Sequence, residues 1–170
     1  MLNKERDIIF DIETTTLHPL EEEARVICIG IRHGDFLVIL MEETEEKLLK
    51  KFWNLDVFDG YFRLIGFNCS SFDIPYLLIR SFKYGIKIPD IRQKVIDLRL
   101  VLNYGNKYAK GKLDDFSRLI LGDEFKKINS GDCVAELYNN KQFEELKQYC
   151  STDIFLTYKI YEQLKKMKVL

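Results

Sequence analysis

Asp11 and Glu13 stand two residues apart at the end of an apolar run. On a strand, such side chains point to the same face, and two carboxylates there can hold a divalent cation. Glu21/Glu23 and Glu43/Glu45 share the spacing, and such a pair alone usually describes solvated surface. Its context is distinctive. Asp11-Ile12-Glu13 directly extends Asp7-Ile8-Ile9-Phe10, a predicted core strand. Two acids at the mouth of a buried strand are costly unless something cationic pairs with them.

Two further groups carry the same chemistry. Asn68 and Phe72-Asp73 follow the apolar run Arg63–Phe67 and open an amphipathic helix. That places Asp73 in a first helical turn, where the positive end of the dipole holds a carboxylate ionised. The same spacing at Asn54, Phe58 and Asp59 runs into Gly60, a turn setting. Tyr149 and Asp153 are four apart, neighbours on one helical face. They fall along the apolar stripe Phe143, Leu146, Cys150, Ile154, Tyr161 and Leu164. An acid on a core-facing stripe needs a partner. Either a cation or a Ser or Tyr hydroxyl would serve.

These groups need elements to position them. Strands are predicted over Asp7–Ile12, Arg25–Arg32 and Phe36–Leu40, the last two closed into a hairpin at His33-Gly34-Asp35. Further strands are predicted over Phe62–Phe67 and Val95–Leu98. Helical spacing covers Glu43–Trp53, Ser71–Tyr84, Lys112–Leu121 and Phe143–Met167. The second of these takes Ser70 or Ser71 as its N-cap and ends at Gly85. Strands that close as a hairpin, followed by strands joined through helices, describe an α/β protein with a mixed sheet and helices on both faces. Five strands with the first central would suit it, although pattern alone leaves the order open.

The 170 residues fit a single domain, residues 1–170, and 46% are hydrophobic, enough for a sizeable core. The 26 basic and 27 acidic residues leave a net charge of −1, which does not suggest wholesale coating of nucleic acid and allows a local basic groove. Cys28, Cys69, Cys133 and Cys150 form no C-x-x-C pair, which argues against a zinc site and for a reduced interior. No apolar signal core opens the chain, and Phe36–Met41 is too short to span a bilayer. The expectation is a soluble, cytoplasmic protein.

Together the three groups resemble the DnaQ-like 3′–5′ exonucleases of the DEDD type, in the subgroup with Tyr at the third motif. The chain is most similar to the proofreading domain of B-family DNA polymerases. The resemblance runs from about Asp7 to Tyr161 and includes Ile74–Arg80 and Lys112–Gly122. It differs in that no polymerase segment follows, so the chain reads as a stand-alone nuclease. The resemblance implies a ribonuclease H-like fold and metal-dependent hydrolysis at the 3′ end of a single strand. Asp11, Glu13, Asp73 and Asp153 would bind two Mg²⁺ or Mn²⁺ ions, and Tyr149 would orient the attacking water. Asn68 and Phe72 would hold the terminal nucleotide, with Leu17 of the Thr-rich loop against the last base and Thr14 also contacting the substrate. His18 and His33, read as loop residues, do not fall where the histidine subgroup places its base.

Arg80–Lys127 holds twelve basic and six acidic residues. Within it Tyr104, Lys107, Tyr108 and Lys112 interleave aromatic and basic side chains, as proteins that grip unpaired strands do; an ordinary solvated loop has the same composition. DNA is the favoured substrate and RNA of the same polarity the alternative, since only contacts to the 2′-hydroxyl would separate them. A binding module that has lost its chemistry would show a broken carboxylate set, and this set is whole. Chance motifs on a structural domain would leave the four acids far apart.

Overall fold

A computed structural model describes residues 6–92, 94–127 and 133–170. The first five residues, read above as lacking an apolar signal core, lie outside them. Five strands form one sheet: β1 (Arg6–Thr14), β2 (Val26–His33), β3 (Phe36–Leu40), β4 (Phe62–Gly66) and β5 (Val95–Asp97). Their order is β3-β2-β1-β4-β5, so β1 is central. It runs antiparallel to β2 and parallel to β4. The helices are α1 (Glu45–Trp53), α2 (Asp73–Lys83), α3 (Leu98–Leu102), α4 (Leu113–Leu121), α5 (Val134–Asn139) and α6 (Phe143–Lys166).

Alternation along β1 sets the two faces. Ile8, Phe10 and Ile12 pack with Leu48 and Phe52 of α1 and Leu77 of α2. Ile9 turns the other way, with Ile65, toward Ile154, Ile160 and Leu164 of α6. Each such aliphatic or aromatic side chain contributes about 1.5–3 kcal/mol by leaving water. Asp11 and Glu13 share the parity of Ile9, so both acids face α6.

α6 approaches closely because β2 carries a glycine opposite Asp11. A Cβ on Gly30 would lie 2.7 Å from Ile154 Cγ1 and 2.8 Å from Cys150 Sγ. Both neighbours are fully buried, so neither can swing aside. Gly30→Ala is expected to cost about 1–3 kcal/mol, read as a lower urea midpoint at unchanged m-value. An unchanged midpoint would show that α6 has slack at this contact.

The predicted strands and long helices form, with shifted ends. α1 starts at Glu45 because the Thr44 hydroxyl accepts from Lys47 N at 3.3 Å. α2 starts at Asp73 and no serine caps it, which corrects the expectation of Ser70 or Ser71. The Asn68 carbonyl instead accepts from Ser71 N and Phe72 N, and Cys69 O accepts from Ile74 N. Backbone thus does the work a hydroxyl would have done. At the other end Gly85, at φ 61°, donates to Phe82 O while Ile86 N donates to Ser81 O, a Schellman closure. His33 is the last residue of β2, not a loop residue.

Candidate active site

β1 and β4 pair only from Arg6↔Phe62 to Ile9↔Ile65. Past that point β4 ends and the β4-facing edge of β1 is open. The amide of Ile12 is taken up there by Asp73, whose Oδ1 accepts from Ile12 N at 3.2 Å. α2 thereby delivers its first carboxylate to the end of the strand that carries Asp11 and Glu13. Ligand sites form at such carboxyl ends of diverging strands.

α6 supplies the opposite wall. Tyr149 and Asp153 are buried. Lys127 Nζ lies 2.6 Å from Asp153 Oδ2 and donates to the Tyr149 hydroxyl at 2.9 Å. It also stands 4.6 Å from the centre of the Tyr149 ring. Lys127 thereby ties Asp153 and the Tyr149 hydroxyl together.

The acids are close enough to disturb one another. Burial lifts the Asp11 carboxyl well above the usual range, and Asp73 and Asp153 add to it. Glu13 is raised by burial, then by Asp11 and Asp153. Asp73 is pushed up to about 7 by burial, against the opposing pull of its own backbone amide and that of Ile12. Asp153 is raised by burial and held back chiefly by Lys127. Burial and the same carboxylates keep the Tyr149 phenol protonated.

Glu13 Oε1 and Asp153 Oδ1 are buried with no hydrogen-bond partner. Ligand atoms of Asp11, Glu13 and Cys150 lie within 4.8 Å of one another. Crowded, unpartnered, mutually repelling oxygens are the donor set a hard divalent cation takes. The carboxylates among them fit such an ion.

Acids whose folded pKa exceeds the unfolded value stabilise the protein below the unfolded value. That contribution is lost as pH rises through the folded one. For Asp73 the window runs from the ordinary value of 3.8 to about 7. With chelator present, the melting temperature is expected to fall between about pH 5 and pH 8, and Mg²⁺ or Mn²⁺ should flatten the slope. A melting temperature that rises across this range would overturn the reading of repelling acids.

A cavity of about 450 Å³ opens beside the acids, lined by Glu13, Thr14, Leu17, Phe72, Lys112 and Tyr149 among others. Thr16 meets the Tyr76 hydroxyl at 3.3 Å, and Arg80, bidentate on buried Glu45, donates to Pro19 O at 3.1 Å. These contacts hold the Thr-rich loop against α2.

The structure thus brings Asp11, Glu13, Asp73, Tyr149 and Asp153 together, with Thr14, Leu17, Phe72 and Lys112 around the cavity. Asn68 does not line it. At φ 61° it takes the left-handed turn that Asn tolerates, and its Oδ1 accepts from Arg99 Nη1 at 2.7 Å. Asp97 fixes the same turn by accepting from Asn68 N and Ser70 N, each at 2.9 Å. Tyr104 and Tyr108 are 99% and 82% exposed and, with Lys107, stand outside that cavity. Along the sequence Lys127 is one of twelve basic residues between positions 80 and 127. Its place over Asp153 depends on the path of the chain after α4, and no local pattern signals it.

A central strand flanked by one antiparallel and one parallel neighbour, with carboxylates at its open end, defines a nuclease fold of the RNase H type. The chain belongs to the RNase H superfamily, whose family model matches residues 8–165. An uncharacterized protein of Methanocaldococcus jannaschii, MJ0365, is 36% identical to it over 169 residues, covering 92% of this chain and 93% of that protein. The family B DNA polymerase of the hyperthermophilic archaeon Pyrobaculum calidifontis shares the fold, with a TM-score of 0.79 at 18% identity. That match covers 96% of this chain, which spans 25% of the polymerase. Among the described residues no helix is long and apolar enough to cross a membrane.

Proposed function

We propose that the protein is a metal-dependent 3′–5′ exonuclease acting on single-stranded nucleic acid, DNA in preference to RNA. One observation carries the reading: Asp11, Glu13, Asp73 and Asp153 converge from β1, α2 and α6 beside a cavity with an apolar wall. Asp11, Glu13, Asp73 and Asp153 would hold two Mg²⁺ or Mn²⁺ ions. Such ions, when bound, acidify water and neutralise charge on the leaving oxygen.

The remaining roles belong to the chain itself. The Tyr149 hydroxyl accepts from Lys127 Nζ at 2.9 Å, which fixes it at the cavity wall. A phenol held protonated by burial and neighbouring carboxylates orients a water and does not take its proton. Phe72 and Leu17 offer apolar surface to the terminal base, and Thr14 offers a hydroxyl. Lys112 supplies positive charge at the cavity for a phosphate. Tyr104, Lys107 and Tyr108, exposed on one loop, provide rings and charge for the strand leading to the cavity.

The test uses purified protein with 5′-labelled single-stranded DNA and the matching RNA, with Mg²⁺, Mn²⁺ or chelator. A metal-dependent ladder shortening from the 3′ end, faster on DNA, is expected. Faster shortening of RNA would move the substrate to RNA. Folded protein that cleaves neither strand under any metal would replace the exonuclease reading with a binding module.

A further inference from the structure

Cys150 has no part in the chemistry above, yet it points into it. It lies on α6 between Tyr149 and Asp153 and is fully buried. Gly30, opposite Asp11 in the β1–β2 ladder, leaves room for the thiol against the sheet. The Sγ atom shares a 4.8 Å cluster with a carboxylate oxygen of Asp11 and one of Glu13. Glu13 is only 6% exposed, and its Oε1 has no hydrogen-bond partner. Cys28, opposite Glu13 in the ladder, packs in the same buried cluster as Cys150.

We propose that Asp11, Glu13 and Cys150 form a mixed carboxylate–thiolate site for a thiophilic divalent cation of the zinc class. Hard ions such as Mg²⁺ take oxygen donors and gain nothing from sulfur. Zinc takes sulfur and oxygen together in a tetrahedral set, and three protein ligands with an open fourth position is a common arrangement for it. Ligation replaces the Cys150 S–H bond with a sulfur–metal bond, and the proton leaves to solvent. The absence of a C-x-x-C pair argued against zinc along the sequence. That rule does not reach a site whose ligands come from β1 and α6.

The site shares two acids with the proposed nuclease centre and rests on their being free to take a cation. It does not require cleavage. The consequence is two competing occupants: zinc-class ions draw Asp11 and Glu13 toward Cys150, and hard ions draw them toward Asp73 and Asp153.

Co²⁺ serves as the probe, because a thiolate ligand gives it a sulfur-to-metal charge-transfer band in the near ultraviolet. The full chain is titrated under reducing conditions, alongside Cys150→Ser, Cys150→Ala and Cys28→Ser, each checked for folding by circular dichroism. The wild type is expected to develop the band to saturation at one ion per chain. Both Cys150 variants should lose it, and Cys28→Ser should keep it. Zn²⁺ affinity, read by competition with a chromophoric chelator, should fall by at least about tenfold in the Cys150 variants. No band in the wild type, or a band that survives in either folded Cys150 variant, overturns the site. So does equal Zn²⁺ affinity in wild type and variants. Cleavage with Mg²⁺ is scored separately, so a nuclease without the thiol site and a thiol site without nuclease activity are distinct results.

Discussion

Asp11→Asn is expected to lower the rate of metal-dependent 3′ shortening by about 10³-fold, and at the same time to raise the melting temperature of the metal-free protein. The rate loss corresponds to roughly 4 kcal/mol of charge stabilisation. The stability gain has the opposite origin. In the metal-free chain Asp11 is held above the usual carboxylate range by burial and by Asp73 and Asp153. An amide of the same shape removes a repelling charge. Wild type should gain melting temperature on addition of Mn²⁺, and Asp11→Asn should gain little. Thermal denaturation with and without chelator, beside the labelled-strand assay, checks both halves. A variant that loses activity and also melts lower without metal would show that Asp11 is chiefly a packing residue. A variant that retains activity would remove it from the metal set.

This opposition explains why the carboxylates were legible in the sequence. Acids at Asp11, Glu13 and Asp153 interrupt apolar patterns that would otherwise run unbroken, and a core tolerates that only for a reason. The same patterns carry the fold: alternation in β1 and the stripe of α6 require only one-dimensional spacing. What the spacing could not supply was approach across the chain. Lys127 meets Asp153 over 26 positions, and Asp97 holds the turn at Asn68 over 29. Asn68 matched the motif, but its observed contacts concern the backbone turn and Arg99. The serines before α2 matched the composition of a cap, yet a compact turn satisfied those amides with carbonyls. Gly30 gave no sequence signal because its significance is the space it leaves for Cys150 and Ile154.

Lys127→Met should have the largest effect on the metal-free protein. Lys127 places its ammonium 2.6 Å from Asp153 Oδ2, with the two side chains 15% and 9% exposed. It is the cation that most offsets burial at Asp153 and a lesser counterweight at Asp11 and Glu13. Removing one partner of a buried pair leaves the other uncompensated, at a cost of about 3 kcal/mol. For a chain of this size that is roughly 6–12 °C in melting temperature. The loss depends on pH. Without Lys127 the folded-state pKa of Asp153 rises further, so the deficit grows as pH rises through it and shrinks where Asp153 is protonated in both states. It depends on metal for the same reason. A divalent cation supplies the charge Lys127 supplied and no longer competes with it for Oδ2, so added Mn²⁺ should restore more stability to the variant than to wild type. Melting curves at about pH 6 and pH 8, with chelator and with Mn²⁺, separate the two possible roles. A deficit that is greatest at the higher pH and recovered by metal identifies Lys127 as a resident counter-ion of the acid cluster. A deficit equal at both pH values and untouched by metal would assign it instead to the contact between its side chain and the Tyr149 ring.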